Sequence, residues 1–436
     1  MHRITPLLVT LALLLFAAHT LRLGDLGLVA ALLGCIALAW TRWAWARWTL
    51  TAVLGWGAVV WVQTGSRLVA MRLAMDAPWE RLALIMAAVT LVTVAAMGCL
   101  HLPAARRRHA TGAETAAVRA GAVLLTALLL GVARAKAGFP ILLLDRFAPG
   151  WGWLQIAGMA WYAGWLAQAV LDPRRHRRWR PWLWAGFSAL FFGQLLLGLA
   201  GWTVFLMTGT LHLPVPALIL GGPLFRGEGL FMLILFLSTV VLVGPAWCSH
   251  LCYIGAWDDQ ASRRAGRIKG SAGRWIWLGR GATLALTVIV ALGLRAAGVP
   301  GTTAVWIAAG FGLLGVGAML ALSTRMGSMI HCTTLCPMGL VGNLLGRCTP
   351  WRMAMGQGCT RCGACSRVCR YGALETADIE RGRAGLSCTL CGDCVAVCRH
   401  AAMEYRCTGL SAGTARRVFI VLVISLHAAF AAVARL

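Results

Sequence analysis

Charge is scarce in this sequence. Only 12% of its 436 residues are charged, and 14 acidic residues face 40 Lys and Arg. Lysine is nearly missing. Lys136 and Lys269 leave 40 − 2 = 38 arginines, an imbalance read as genome composition. A soluble domain carries about 25% charged residues, so the shortage excludes an ordinary soluble protein. The shortage of carboxylates leaves no paired acids for general acid–base work, and no nucleophile stands with a base. The net charge of +26 alone would suit nucleic acid. Such binding needs basic residues on a folded polar surface, and little of that surface exists here. No nucleic-acid partner is expected.

What is present is apolar. Hydrophobic residues make up 59% of the chain, and the mean hydropathy is +0.75. Spanning a bilayer takes about 20 residues. Eleven stretches qualify, near 4–22, 26–41, 48–66, 82–100, 118–134, 151–171, 182–206, 229–247, 275–295, 303–322 and 417–434. The first resembles a secretory signal but has no clear cleavage site, so it is read as a retained anchor. Dense arginines at 42–47, 106–119, 174–180 and 263–274 fall in alternate loops. The positive-inside rule puts those loops in the cytoplasm. The loop with Arg67, Arg72 and Arg81 fits this scheme least. His212 to Pro216 and Gly221-Gly222-Pro223 should break helices and form a structured exterior loop. The spans hold little that ionises beyond His19, Arg280 and His427, which argues against a transporter. His19 and His427 are read as core histidines, so no haem is expected.

The other unusual count is 16 cysteines. Fourteen lie after residue 247, most of them clustered, which points to metal more than to disulfides. Cys359-x2-Cys362-x2-Cys365-x3-Cys369 recurs as Cys388-x2-Cys391-x2-Cys394-x3-Cys398, offset by 388 − 359 = 29 residues. This is the bacterial-type ferredoxin spacing for [4Fe–4S] clusters. Three closely spaced thiolates wrap three corners of a cube, and the fourth crosses to the other cube. Cys359, Cys362, Cys365 and Cys398 should hold one cluster. Cys388, Cys391, Cys394 and Cys369 should hold the second. Zinc fits the dense spacing poorly, since its structural sites use separated cysteine pairs. Arg370 and Arg399 replace the usual proline after the fourth Cys. They either raise the cluster potentials or lie solvated.

A second repeat is subtler. Cys248-Ser-His-Leu-Cys252 and Cys332-Thr-Thr-Leu-Cys336 each follow a span, offset by 332 − 248 = 84 residues. Cysteines four apart share one face of a helix. Three readings stand for these four residues: a third metal site of Fe–S type, a redox-active dithiol, or packed structural thiols. His250 and His331 are candidate replacements for a thiolate. Cys348 and Cys407 read as free thiols. Asp145, Asp172, Asp258 and Asp259 read as loop or helix-cap residues, though each is placed plausibly as a proton acceptor.

The tandem motifs, the paired Cys-x3-Cys segments and the helix framework together resemble the membrane-bound polyferredoxins of the NosR, NapH and MauN type, over residues 139–407. The segments at 205–216 and 244–252 look closest to the NosR branch. NosR-type proteins carry a flavin-binding domain before the membrane core. Residues 1–134 are hydrophobic spans instead, so no flavin is expected. Tyr253 also stands where the family motif has Pro.

The fold expected is an all-α polytopic membrane protein of about 11 transmembrane helices, with an inserted cytoplasmic α+β ferredoxin domain holding two [4Fe–4S] clusters. Its parts are 1–134 (helices of unread role), 135–349 (a core with the Cys-x3-Cys pairs), 350–407 (ferredoxin-like) and 408–436 (a last helix). The resemblance implies a bacterial inner-membrane electron carrier, relaying electrons from the quinol pool or a cytoplasmic donor to a respiratory or periplasmic redox partner. Quinol oxidation as a subunit of a larger complex fits better than stand-alone catalysis. The rival is a maturation factor that reduces metals or thiols for a respiratory metalloenzyme. Expected partners are membrane lipid and a redox protein, which a basic shell of Arg361, Arg367, Arg370, Arg381, Arg383 and Arg399 would suit if that protein is acidic.

Overall fold

The computed structural model describes residues 4–206, 213–269, 273 and 275–433. His212 and Arg274 lie outside the described residues. The chain divides into two compact units, Met1–Gln168 and Ala169–Leu436. All eleven expected stretches are helical. Among the described residues, eight helices are long and apolar enough to cross a membrane, including Ile4–Arg22, Pro173–Leu199, Phe231–Leu251, Gly301–Met326 and Ala412–Val433. The other three differ for physical reasons. Leu26–Trp40 has only 15 residues. Ala44–Ala74 and Gly152–Leu171 are long, but tryptophan, glycine and glutamine dilute their apolar content.

In the first unit, Val9, Leu13 and Phe16 pack with Leu50, Leu54, Trp61 and Leu100. Arg67 and Arg72, expected in a loop, continue the Ala44–Ala74 helix. Asp145 accepts from Arg134 Nε at 2.6 Å and from the Gly152 amide at 2.8 Å. It therefore ties the short Leu143–Phe147 helix to a membrane-type helix. His19 packs its ring against Trp61, 4.9 Å between centroids.

The second unit corrects several expectations. Residues 174–180 are not a loop: Asp172 caps the helix by accepting from the Arg174 amide, and Pro173 fills its first turn. Gly221-Gly222-Pro223 does not break the chain either. It lies within the Leu218–Arg226 helix. Gly221 stands close to Thr287, where a Cβ would come within 3.2 Å of the threonine methyl. Small residues there let this short helix approach the Trp275–Ala296 helix.

The ferredoxin-like segment is framed by β1 (Arg352–Met355) and β2 (Met403–Arg406). They pair antiparallel, with Met353 opposite Tyr405. Helices inside it are one turn or two long. A buried ionic network joins this segment to the helices. Arg180 grips Asp393 through Nε and Nη2, both at 2.9 Å, and also reaches Asp259 at 3.1 Å. Arg263 binds the same two carboxylates at 2.7 and 3.0 Å. Two guanidinium groups thus neutralise two carboxylates. Burial alone would raise the Asp393 carboxyl, but Arg180 and Arg263 hold it well below the usual carboxylate range. Asp258 and Asp259 are accordingly buried in the Tyr253–Arg264 helix rather than in a loop.

Removing one member of such a network leaves an uncompensated buried charge, at a cost of roughly 3–5 kcal/mol. Arg180→Met should lower unfolding stability in detergent by about that much, while the exposed Arg178→Met should change it by under ~0.5 kcal/mol. Matching denaturation midpoints for the two variants would contradict the network's role.

Candidate iron–sulfur sites

The tandem motif folds as a repeat. Each Cys-x2-Cys loop puts a residue in the left-handed region just before its second cysteine: Arg361 at φ 55° and Leu390 at φ 54°. Glycines follow at Gly363 and Gly392, φ 69° and 83°. The amides of Ala373 and Ala402 both donate to the sulfur of the fourth cysteine, Cys369 and Cys398, at 3.3 Å. All these pairs keep the 29-residue offset, so the same local backbone recurs twice.

The crossed thiol sets come together. A hollow is lined by Cys359, Cys362, Cys365 and Cys398, with Ile379, Ala402 and Met403 as apolar wall. Cys394 is surrounded by Cys391, Cys388 and Cys369. Burial pushes Cys369, Cys388 and Cys391 up to about 12. Fully exposed Cys362 is instead held below the ordinary thiol value by the Ala364 amide. Cys362 of the first set is thus exposed and Cys394 of the second buried, while the other members of both sets are half-buried. Arg370 is not merely solvated. Its Nη1 donates to the carbonyls of Ser262 and Gly327, at 2.8 and 2.6 Å.

The two Cys-x3-Cys pairs also fold alike, though not as α-helix. Each occupies a π-helical turn, Trp247–Leu251 and His331–Leu335. The second cysteine then leaves the turn at φ near −80° and caps the next helix, Tyr253–Arg264 or Pro337–Leu345. The Gly255 amide donates to the Cys252 sulfur at 3.4 Å, whereas Cys336 takes the same cap position without a side-chain hydrogen bond. Helix N-termini favour anionic thiolates. Tyr253 holds the helix start where Pro337 does so in the other half, stacked on Phe191 with centroids 4.0 Å apart. Trp184 Nε1 anchors the Cys252 carbonyl at 2.8 Å.

The two pairs come together: Cys248 and Cys252 pack against buried Cys336 in one cluster. Burial raises Cys252 to about 12, and Cys332 and Cys336 upward as well. Neither histidine joins them. His250 Nδ1 lies 2.9 Å from Ser249 Oγ, and His331 packs against Gly315. Asp258 accepts from the Cys332 amide at 2.9 Å, and burial raises its carboxyl to about 6.

Sequence reasoning missed the residue that defines this site. Arg280 is 1% exposed. It donates twice to the Cys332 carbonyl and, at 2.7 Å, to Asn343 Oδ1. Among the described residues it pairs with no carboxylate, and its charge interacts with Cys248, Cys336 and Cys332. A buried cation needs an anion. Burial keeps free thiols neutral, and a disulfide is neutral too. Metal coordination deprotonates a thiol outright and supplies the missing charge. Among the described residues no three His, Cys, Asp or Glu converge closely enough to hold a single ion. A mononuclear zinc draws its sulfurs to about 2.3 Å from one point, whereas a cuboidal cluster spreads its ligands round its corners. The donors and the buried cation fit a thiolate-bound cluster.

A family model described as a 4Fe-4S binding domain matches residues 225–271 and 308–353. These segments carry the two Cys-x3-Cys pairs, so the chain contains a 4Fe-4S binding domain there as well as the ferredoxin-type spacing. No curated protein and no solved structure matches the chain. The fold and the sites define a protein with membrane-type helices and iron–sulfur binding segments. All sixteen cysteines are free of disulfides, including Cys348 and Cys407.

A Cβ at Gly392 would fall 2.5 Å from the Tyr405 hydroxyl and 3.0 Å from His176. Those two side chains bind the Leu390 and Cys391 carbonyls. Gly392→Ala should thus cost the second set its iron, about four atoms per chain. Gly363→Ala, which meets only the tip of Arg367 at 3.5 Å, should retain it and pay only the left-handed penalty of about 1–2 kcal/mol. Iron and acid-labile sulfide assays on both variants decide the point.

Proposed function

We propose that this protein is a membrane-embedded electron carrier with three [4Fe–4S] sites, drawing on the quinol pool or a cytoplasmic donor and serving a respiratory or periplasmic redox partner. The observation that carries the reading is a continuous hydrogen-bonded bridge. Asn343 Nδ2 donates to the Cys388 carbonyl at 3.4 Å, its Oδ1 accepts from Arg280, and Arg280 binds the Cys332 carbonyl. A second link runs beside it, where the Tyr371 hydroxyl donates to the Cys248 carbonyl at 3.3 Å. The second ferredoxin-type set is thereby wired to the thiols at the ends of the membrane helices.

When bound, such a cluster accepts and donates single electrons without making or breaking bonds. The chain's own residues supply the rest. Cys359, Cys362, Cys365 and Cys398 hold the outer site. Cys369, Cys388, Cys391 and Cys394 hold the middle one. Cys248, Cys252, Cys332 and Cys336 hold the innermost, with Arg280 balancing their charge. Burial of Cys394, Cys332 and Cys336 limits water at the two inner sites and so tunes their potentials. Orientation with the ferredoxin-like segment in the cytoplasm agrees with the arginine-rich segments near the ends of the apolar stretches.

Anaerobically purified protein should contain about twelve irons and about twelve acid-labile sulfides per chain. Cys332→Ser should lower both to about eight and remove one EPR signal. Unchanged iron and spectrum in that variant would leave only two clusters.

A further inference from the structure

The arginines round the iron–sulfur segments divide into two groups. Several are engaged by groups of the protein itself. Arg180 and Arg263 are neutralised by Asp259 and Asp393, Arg370 binds backbone carbonyls, and Arg381 pairs with Asp378. Arg361, Arg367 and Arg399 are different. All three are exposed, and among the described residues none has a carboxylate partner. Arg361 and His400 line the hollow of the first thiol set. Arg367 Nη1 donates to the Cys362 carbonyl at 3.3 Å, and Arg399 directly follows Cys398. No carboxylate lines that hollow. Exposed Glu380 follows the lining residue Ile379, and it is outnumbered.

We propose that this rim is the docking surface for an acidic one-electron carrier protein, and that the first thiol set is the port through which electrons pass to or from it. The proposal deepens the electron-carrier function above and rests on it. Cys362 is exposed, whereas Cys394, in the second set, and Cys332 and Cys336 are buried. Electron exchange needs close approach, so a protein partner must come against the exposed set. Unpaired positive charge at its rim selects an acidic surface and steers its encounter. The exchange moves one electron: the reduced partner loses it and the first site gains it, or the reverse, with no bond or proton transferred.

The test uses the full-length protein in nanodiscs of neutral lipid. Two probes of opposite charge are compared, an acidic plant-type [2Fe–2S] ferredoxin and a basic c-type cytochrome, with binding read at equilibrium before any electron transfer. The acidic probe should bind more tightly, and its affinity should fall as salt shortens the Debye length below about 10 Å. Arg367→Glu combined with Arg399→Glu should weaken it ~10-fold while iron content stays at the wild-type value. Arg399→Glu alone, outside the Cys-x2-Cys loop, serves as the independent variant if the double variant loses iron. Reduction by dithionite, which needs no docking surface, should be unaffected. Salt-independent binding, preference for the basic probe, or full affinity in the iron-replete variants would overturn the proposal. Wild-type protein that lacks acid-labile sulfide would instead overturn the electron-carrier function itself.

Discussion

A cation placed in an apolar frame must be given an anion, and this constraint organises the second unit. Arg180 meets it with two carboxylates, one from the Tyr253–Arg264 helix and one from the ferredoxin-like segment. Arg280 meets it with thiols from both Cys-x3-Cys pairs. The first arrangement clamps the iron–sulfur segment to the helices. The second makes sense only if the thiols are ionised, which burial opposes and metal enforces. The same physics thus holds the architecture together and supports the innermost site of the proposed function.

Two internal repeats use the same economy of backbone. One, offset by 29 residues, sets left-handed residues beside each Cys-x2-Cys step so that the thiols turn toward a common centre. The other, offset by 84 residues, uses a π-turn and a helix N-terminus to deliver two sulfurs from each half. In both, a cluster site needs two separated segments. Folding therefore has to precede or accompany assembly of each site, and each site in turn ties its two segments together.

The three thiol sets differ in their surroundings. The outermost has an exposed thiol and unpaired arginines. The middle one is enclosed by Arg180, His176 and Tyr405. The innermost lies at the ends of apolar helices, with Asn343, Arg280 and Tyr371 leading to it. Solvent exposure and local charge both tune cluster potentials, so under the proposed function this gradient sets the direction in which electrons pass.

Much of this was written in local pattern. Long apolar runs specified helices at all eleven positions, because burying backbone polar groups in lipid leaves few alternatives. The Cys-x2-Cys-x2-Cys-x3-Cys spacing pointed to both outer thiol sets, crossed ligands included, because that chemistry is local apart from one long-range residue. The 84-residue repeat was visible too, but its chemistry was not, since three readings of four thiols differ only in what surrounds them. Arg280 looked like a lone charge in a span and Arg180 like one of a loop's arginines. Both roles arise from contacts 52 to 213 residues away in sequence. Periodicity and spacing report what a residue does for its own element. Which buried charge answers which is settled only when distant segments pack, and here that pairing decides the inner site.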